Sequence, residues 1–145
     1  MIRYLIGTNV LLYTIDPRDS AKQQRAIQVL SQLSSSNDAG IPAQVFAEYA
    51  NVTLKKFGLP ASSVFENLQN LTASFTTYPL SPAVVLEAVR GVRDHQLSYF
   101  DAQIWAVAKL NQIPVVLSED FNIGATLEGV QFLNPFDKSF NLTSI

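Results

Sequence analysis

Acidic side chains that could hold a metal ion stand at three places in the chain: Glu48, Asp101 and Asp120. Glu48 and Asp101 fall on the apolar faces of two predicted helices, and Asp120 follows the apolar run at 113–117. Burying a charge without a partner is costly, so three converging carboxylates would repel one another unless a cation lay between them. Hard divalent ions such as Mg²⁺ and Mn²⁺ take carboxylate and water ligands, orient phosphate and activate water.

Each acid also has a structural interpretation when it is taken alone. Glu48 could lie at the border of its apolar stripe and reach water, and Ser98 with Asp101 matches a helix capping box. Loop aspartates are common after strands, which would account for Asp120. Glu119, its neighbour, is a candidate auxiliary ligand. The joint placement of the acids at strand ends and helix starts favours a shared site.

The polar turn at Gly7, Thr8 and Asn9 separates an apolar run at 2–6 from another at 10–13. This pattern predicts a strand-to-helix junction in an α/β sheet, and open parallel sheets bind ligands at such junctions. Gly7 presents no side chain there. Thr8 and Asn9 fit the turn without requiring a positive φ angle at the glycine.

Composition limits which chemistry the chain can perform. Its 145 residues predict a single domain, 1–145, and 48% of them are hydrophobic against 15% charged. No cysteine and only one histidine, His95, are present. These counts exclude disulfides, a cysteine nucleophile and thiolate or histidine-rich metal sites, so a metal must be held by oxygen.

Charge and hydropathy restrict the partners and the location. The formal net charge of −2 argues against passive adhesion to nucleic acid, although metal ions can bridge carboxylates to phosphate. Arg18, Lys22 and Arg25, with Lys55 and Lys56, are a candidate track that guides RNA toward the acids. No apolar run approaches the roughly 18 residues of a membrane span, and no signal peptide is recognised, so we expect a cytoplasmic protein.

Strand and helix patterns alternate along the chain. This alternation predicts an α/β fold with a central, mostly parallel sheet of four to five strands flanked by helices. Ser20 is the predicted N-cap of the first long helix. Trp105 and the nine phenylalanines are assigned to the core and to interfaces. Strands are predicted at 2–6, 41–42, 75–78, 113–117 and 130–133, helices at 21–33, 43–57, 64–71, 82–95 and 98–111, and the buried face of the helix at 82–95 at Val85, Leu86, Val89 and Val92.

Four segments resemble the signature of PIN-domain proteins, in the subgroup of VapC-type toxins of toxin-antitoxin pairs. The resemblance extends over nearly the whole chain and is carried by YLIGTNVLL at 4–12, IPAQVFAE at 41–48, YFDAQIWA at 99–106 and VLSEDF at 116–121. It implies a PIN-like fold, Mg²⁺- or Mn²⁺-dependent endoribonuclease activity on RNA, a homodimer and inhibition by a cognate VapB-type antitoxin. The metal-site acids that it implies are Glu48, Asp101 and Asp120, with Thr8, Asn9 and Ser118 as supporting polar groups.

The chain departs from this family at one central position. Where the family has an aspartate before Thr-Asn, this chain has Gly7, which supplies neither charge nor oxygen. Since losing even a group that supports a ligand costs roughly 10- to 100-fold in affinity or activity, we predict a dead or severely impaired enzyme.

The origin of Gly7 has two interpretations. Aspartate and glycine codons differ by one base and an active toxin is hard to express in a living host, which favours an inactivating substitution, selected or designed. The alternative is a non-catalytic PIN-domain module that binds an antitoxin or RNA. A more distant alternative, a phosphohydrolase with a nucleophilic aspartate after the first strand, also lacks its key residue at Gly7.

Overall fold

The computed structural model describes residues 1–119 and 124–141. The strands are β1 Tyr4–Ile6, β2 Ala39–Pro42, β3 Thr76–Tyr78, β4 Val115–Leu117, β5 Thr126–Leu127 and β6 Val130–Leu133. The helices are α1 Thr8–Tyr13, α2 Ser20–Ser36, α3 Ala43–Lys55, α4 Ala61–Ser74, α5 Pro82–His95 and α6 Tyr99–Leu110.

The strands form one sheet in the order β3-β2-β1-β4-β6-β5. Neighbouring strands run parallel except β5 and β6, which form an antiparallel hairpin. The predicted α/β architecture is confirmed. The described part of the chain has six strands rather than four or five because β5 is a two-residue strand whose pairing depends on the turn at Glu128 and Gly129, both at positive φ.

The central strand β1 is fully apolar and buried, with Leu5 and Ile6 both 0% exposed. Such continuous apolar strands are typical of parallel sheets covered by helices on both faces. Strand β1 pairs with β2 along one of its edges and with β4 along the other. The carboxyl ends of β1 and β4 therefore border a topological switch point, where α/β sheets form crevices.

Helix α5 packs against α6 through small side chains. Its buried residues are Val84, Ala88 and Gly91, and a β-carbon on Gly91 would lie 2.7 Å from Cζ3 of the Trp105 ring. The prediction for the buried face of this helix is therefore wrong, because the indole needs the groove that small residues leave open. The four residues predicted to be buried are partly or largely exposed, and Leu86, at 74%, is the most exposed of the four: Val85, Leu86, Val89 and Val92.

Helix α2 begins one residue earlier than predicted. Asp19, rather than the predicted Ser20, caps α2, because its carboxylate accepts a hydrogen bond from the amide of Lys22 at 3.1 Å.

Within the part of the chain that the structure describes, no helix combines the length and the apolar composition that a membrane crossing requires.

Candidate active site

The predicted site residues meet in a cavity of about 70 Å³ at the carboxyl ends of β1 and β4. The cavity is lined by every described residue of the predicted site except Glu119, the candidate auxiliary ligand. Asp120 lies outside the described residues, so its position relative to the cavity stays a prediction. The residues that line the cavity are Gly7, Thr8, Asn9, Glu48, Phe100, Asp101, Ile104 and Ser118.

Glu48 projects from α3 and is held by the first residue of α1. Its Oε1 accepts a hydrogen bond from Oγ1 of Thr8 at 3.3 Å. Burial raises the pKa of the Glu48 carboxyl, the hydrogen bond from Thr8 opposes that rise, and the negative charge of Asp101 adds to it. Glu48 and Asp101 therefore repel each other electrostatically across a small cavity.

Asp101 lies in the first turn of α6, where capping and cavity lining occur together. The Ser98 hydroxyl is the N-cap and accepts a hydrogen bond from the backbone amide of Asp101 at 3.4 Å. This contact uses the backbone of Asp101, while the residue also lines the cavity. The capping interpretation and the site interpretation of this position are thus compatible.

Gly7 sits at the junction of β1 and α1 with φ −79° and ψ 164°, an extended conformation that any residue adopts. The expectation that the turn needs no positive φ here is confirmed. Space is the constraint: a β-carbon at this position would lie 2.9 Å from the carbonyl oxygen of Leu117, closer than such atoms normally approach. A side chain at position 7 therefore requires the ends of β1 and β4 to move apart.

Glu119, the candidate auxiliary ligand, does not line the cavity. Its carboxylate accepts a hydrogen bond from the Tyr13 hydroxyl at 2.8 Å and forms a salt bridge with Lys22. The hydrogen bond to Glu119 raises the pKa of the Lys22 ammonium. In this structure Glu119 thus links β4 to α1 and α2 rather than serving the acids.

The cations proposed to guide RNA are partly engaged within the chain. The Arg18 guanidinium donates two hydrogen bonds to Asp16, at 2.9 and 2.7 Å, and together with the Arg18 backbone amide these bonds lower the pKa of that carboxyl to about 2. Arg25 donates to the carbonyl oxygens of Pro135 and Phe140, both at 2.8 Å, and so ties α2 to the C-terminal segment. Lys22 is paired as described above, and the exposed members of the proposed track are Arg18, Lys55 and Lys56.

Phe100 is a cavity residue that the sequence interpretation missed. Phe100 is 61% exposed beside the acids and Phe65 is 64% exposed, so neither belongs to the core, and the interface part of their predicted assignment stays a prediction. Trp105, by contrast, is 0% exposed as predicted. The sequence did offer one indication that Phe100 lies near the site: it directly precedes Asp101 in the first turn of α6.

The described donor set suits a hard cation. The oxygens of Glu48 and Asp101, with those of Asn9 and Ser118 nearby, are the donors that Mg²⁺ and Mn²⁺ prefer. Within residues 1–119 and 124–141, no group of three or more acidic, histidine or cysteine side chains is arranged to hold a metal ion.

The PIN-domain family model matches residues 4–126, most of the chain. The chain belongs to the PIN-domain family. No curated protein sequence matches it. The matched range of this PIN domain includes β1, Gly7, both described acids and β4, so the described part of the candidate site lies within it.

Solved structures with the same fold are distant in sequence. Mycobacterium tuberculosis VapC20, a toxin that cleaves the sarcin-ricin loop, aligns with a TM-score of 0.66 at 17% identity over 86% of this PIN domain and 97% of VapC20. A toxin-antitoxin complex from Klebsiella pneumoniae gives 0.65 at 18% identity, covering 91% and 97%. DNA-bound VapBC from Salmonella typhimurium gives 0.67 at 13% identity, covering 93% and 99%. These likenesses establish the fold.

Proposed function

We propose that this PIN domain is the toxin component of a type II toxin-antitoxin system, a single-domain, cytoplasmic VapC-type protein built as a metal-dependent endoribonuclease. One observation carries the proposal: Glu48 and Asp101, from two helices far apart in sequence, line one cavity where β1 and β4 end. That the structural relatives include toxins and toxin-antitoxin complexes supports the same assignment.

Glu48, Asp101 and Asp120 would hold Mg²⁺ or Mn²⁺, and the bound ion would supply charge neutralisation and an activated water for in-line attack on an RNA phosphodiester. Thr8 orients the Glu48 carboxylate through its hydrogen bond. Asn9 and Ser118 place polar groups on the cavity wall. The raised pKa of Glu48 means that this acid accepts a proton more readily when no cation neutralises the charges of Glu48 and Asp101. Binding of a cation would therefore be coupled to release of a proton.

Gly7 makes the chain a weak nuclease or an inactive one. With no oxygen at position 7, the ion loses a ligand, and an effect of at least roughly 10- to 100-fold on affinity or activity follows. The other polar residues predicted for the cavity are present in it, so the proposed loss of activity is confined to position 7.

The partners follow from the exposed surfaces and from the relatives. Helix α5 presents an outward apolar stripe in which Leu86 is 74% and Val89 53% exposed. Stripes of this kind on soluble proteins mark protein contacts, and we assign this one to a homodimer. A VapB-type antitoxin is the proposed inhibitor, because the solved relatives include complexes of the two components.

Single-turnover cleavage of a mixed RNA substrate with Mg²⁺ or Mn²⁺ tests the proposal. Three chains are compared, each with and without EDTA: the unsubstituted chain, Gly7→Asp and Gly7→Asn, which adds similar bulk without the charge. We expect EDTA-sensitive cleavage by Gly7→Asp far above that of the other two. Equal cleavage by all three would show that the active site lies elsewhere.

A non-catalytic binding module is the second candidate, and the contact at Gly7 favours it. The Leu117 carbonyl occupies the space that a side chain at position 7 would need. This close packing is expected where glycine is the native residue and no side chain has to fit. If Gly7→Asp folds but no chain cuts RNA, while the unsubstituted chain still binds an antitoxin, this candidate replaces the nuclease.

A further inference from the structure

A second cavity adjoins the acids. It has a volume of about 460 Å³, within the roughly 300–1,000 Å³ of typical ligand pockets. Glu48 and Phe100 line both this groove and the acid cavity, so the two are adjacent. We call it the Phe100 groove. Its remaining walls come from Ala43, Gln44, Ala47, Asn51, Leu80 and Gln103.

The Phe100 groove combines an exposed ring with amide side chains. Phe100 is 61% exposed at the border between the groove and the acids. Gln44 and Gln103 are only 7% and 5% exposed, which is unusual for glutamine. Aromatic rings stack on nucleobases of any sequence, and amide groups pair with the donor and acceptor atoms of base edges.

Gln44 provides an independent indication of a ligand. Both its Oε1 and its Nε2 are buried without a hydrogen-bond partner in the described structure. An unpaired buried amide is costly, and a bound group that pairs with it is one of the explanations for such an amide in a native protein. Gln44 lines the groove, and a movement of its amide toward a bound group would break no hydrogen bond of the described structure.

We propose that the Phe100 groove binds one unpaired nucleobase of the RNA substrate, stacked on Phe100 and read by the amide of Gln44. This inference rests on the proposed function, because it places the base beside the phosphodiester held at Glu48 and Asp101. RNA sequences are recognised mostly through unstacked bases in loops and single strands. The groove therefore selects single-stranded or loop RNA and gives it a base preference next to the cleavage position.

Filter binding of short radiolabelled RNA homopolymers, one for each base, tests the stacking contact. Phe100→Ala is compared with Phe65→Ala, which removes a ring of matching exposure, 64%, from α4. Phe100→Ala should weaken binding roughly 5- to 150-fold, the range for loss of one stacked base, and Phe65→Ala should not. An abasic oligonucleotide of the same length should bind both variants equally, since it has no base to stack.

The same assay with Gln44→Leu tests base reading. Its matched control is Gln69→Leu, an exposed position on α4. Gln44→Leu should reduce the preference among the four homopolymers by about 5-fold or more while leaving average affinity nearly unchanged. Because the buried amide has no partner to lose, this variant should unfold at the same temperature as the unsubstituted chain or higher.

The outcomes separate this inference from the proposed function. Equal RNA binding by Phe100→Ala and Phe65→Ala, with RNA bound tightly by both, overturns the base site and leaves the nuclease assignment standing. The apolar wall of the groove would then belong to a protein contact. Failure of the unsubstituted chain to bind any RNA overturns the nuclease assignment, and the base site with it.

Discussion

The carbonyl oxygen of Leu117 accepts a hydrogen bond from the amide of Gly7 at 2.9 Å, and it would lie at the same distance from a β-carbon added to that glycine. One backbone atom of β4 therefore both closes the sheet at the site and excludes a side chain from position 7. An acid placed at position 7 would have two opposing effects on the proposed site: it would add a candidate ligand and disturb the packing against Leu117.

The Gly7→Ala substitution isolates the packing effect, because it adds the β-carbon without a carboxylate. We expect it to lower the free energy of unfolding by about 1–3 kcal/mol, the usual cost of forcing extra volume into a packed site. Urea denaturation followed by circular dichroism measures this change. An unchanged midpoint would mean that the ends of β1 and β4 separate at no cost, and Gly7→Asp would then carry no folding penalty.

Glu48→Gln should stabilise the metal-free protein at pH 8 and not at pH 4. Burial and the charge of Asp101 raise the pKa of Glu48 in the folded state, so the native protein holds that proton more tightly than the unfolded chain. The resulting penalty is fully present above the folded pKa and disappears as pH falls below the unfolded value of about 4.3. Thermal unfolding in EDTA at both pH values measures it.

Glu66→Gln, on the exposed face of α4, is the matched control for Glu48→Gln. It should change the unfolding temperature little at either pH. A lower melting temperature for Glu48→Gln at pH 8 would contradict the repulsion between the two acids. In calorimetric titration with Mn²⁺, Glu48→Gln should bind more weakly than the unsubstituted chain, whereas Glu66→Gln should not.

Glu128→Gln should destabilise the protein at neutral pH and lose that effect in acid. Hydrogen bonds from Arg90, and then from His95, lower the pKa of Glu128 to about 2. A depressed carboxyl pKa contributes stability that is present above the unfolded value of about 4.3 and is lost as pH falls through about 2. Melting curves between pH 7 and pH 2 should therefore converge for the two proteins, and a constant offset would argue against these bonds.

Gly91→Ala should destabilise the contact between α5 and α6. Alanine in place of a helical glycine normally gains roughly 0.5–1 kcal/mol, but here the methyl group would lie 2.7 Å from Trp105. We expect a net loss of about 1–3 kcal/mol from overpacking. In a Trp105→Phe background the same change should cost less, because the smaller ring leaves room. A stabilising Gly91→Ala would show that the helices are not in contact at this point.

Leu86→Glu should dissociate the proposed homodimer. The substitution places a charge in the centre of the outward apolar stripe of α5, where desolvation opposes association. Light scattering coupled to size exclusion at micromolar concentration measures the mass. Ile27→Glu, on α2 with 49% exposure, is the control and should leave the mass unchanged. A monomeric unsubstituted chain would remove the basis for the homodimer.

Local patterns were enough to predict the positions of the main elements and the meeting of the described acids. Glu48 and Asp101 converge because α3 and α6 both begin near the carboxyl ends of the parallel strands, a consequence of alternating strands and helices. The polar turn after β1 was recognisable from the abrupt end of its apolar run. These features depend on neighbours along the chain or on the general rules of parallel sheets.

Features set by shape could not be predicted in this way. Hydropathy ranks Leu86 above Gly91 as a core residue, yet the volume of Trp105 decides which face of α5 is buried. The close approach of Leu117 to Gly7 depends on the register of β1 with β4, which the sequence pattern does not specify. The short strand β5 has too few residues to show a period, and the exposure of Phe100 depends on how α6 meets the sheet.

The burial of Trp105 gives the protein an internal optical probe. It is the only tryptophan, is 0% exposed, and donates its indole N–H to the carbonyl of Leu127 at 3.1 Å. Its emission should shift to longer wavelength when the helix pair opens and the indole meets water. Because the acid cavity and the Phe100 groove contain no tryptophan, spectral changes report loosening of the α5, α6 and β5 region rather than occupancy of the site.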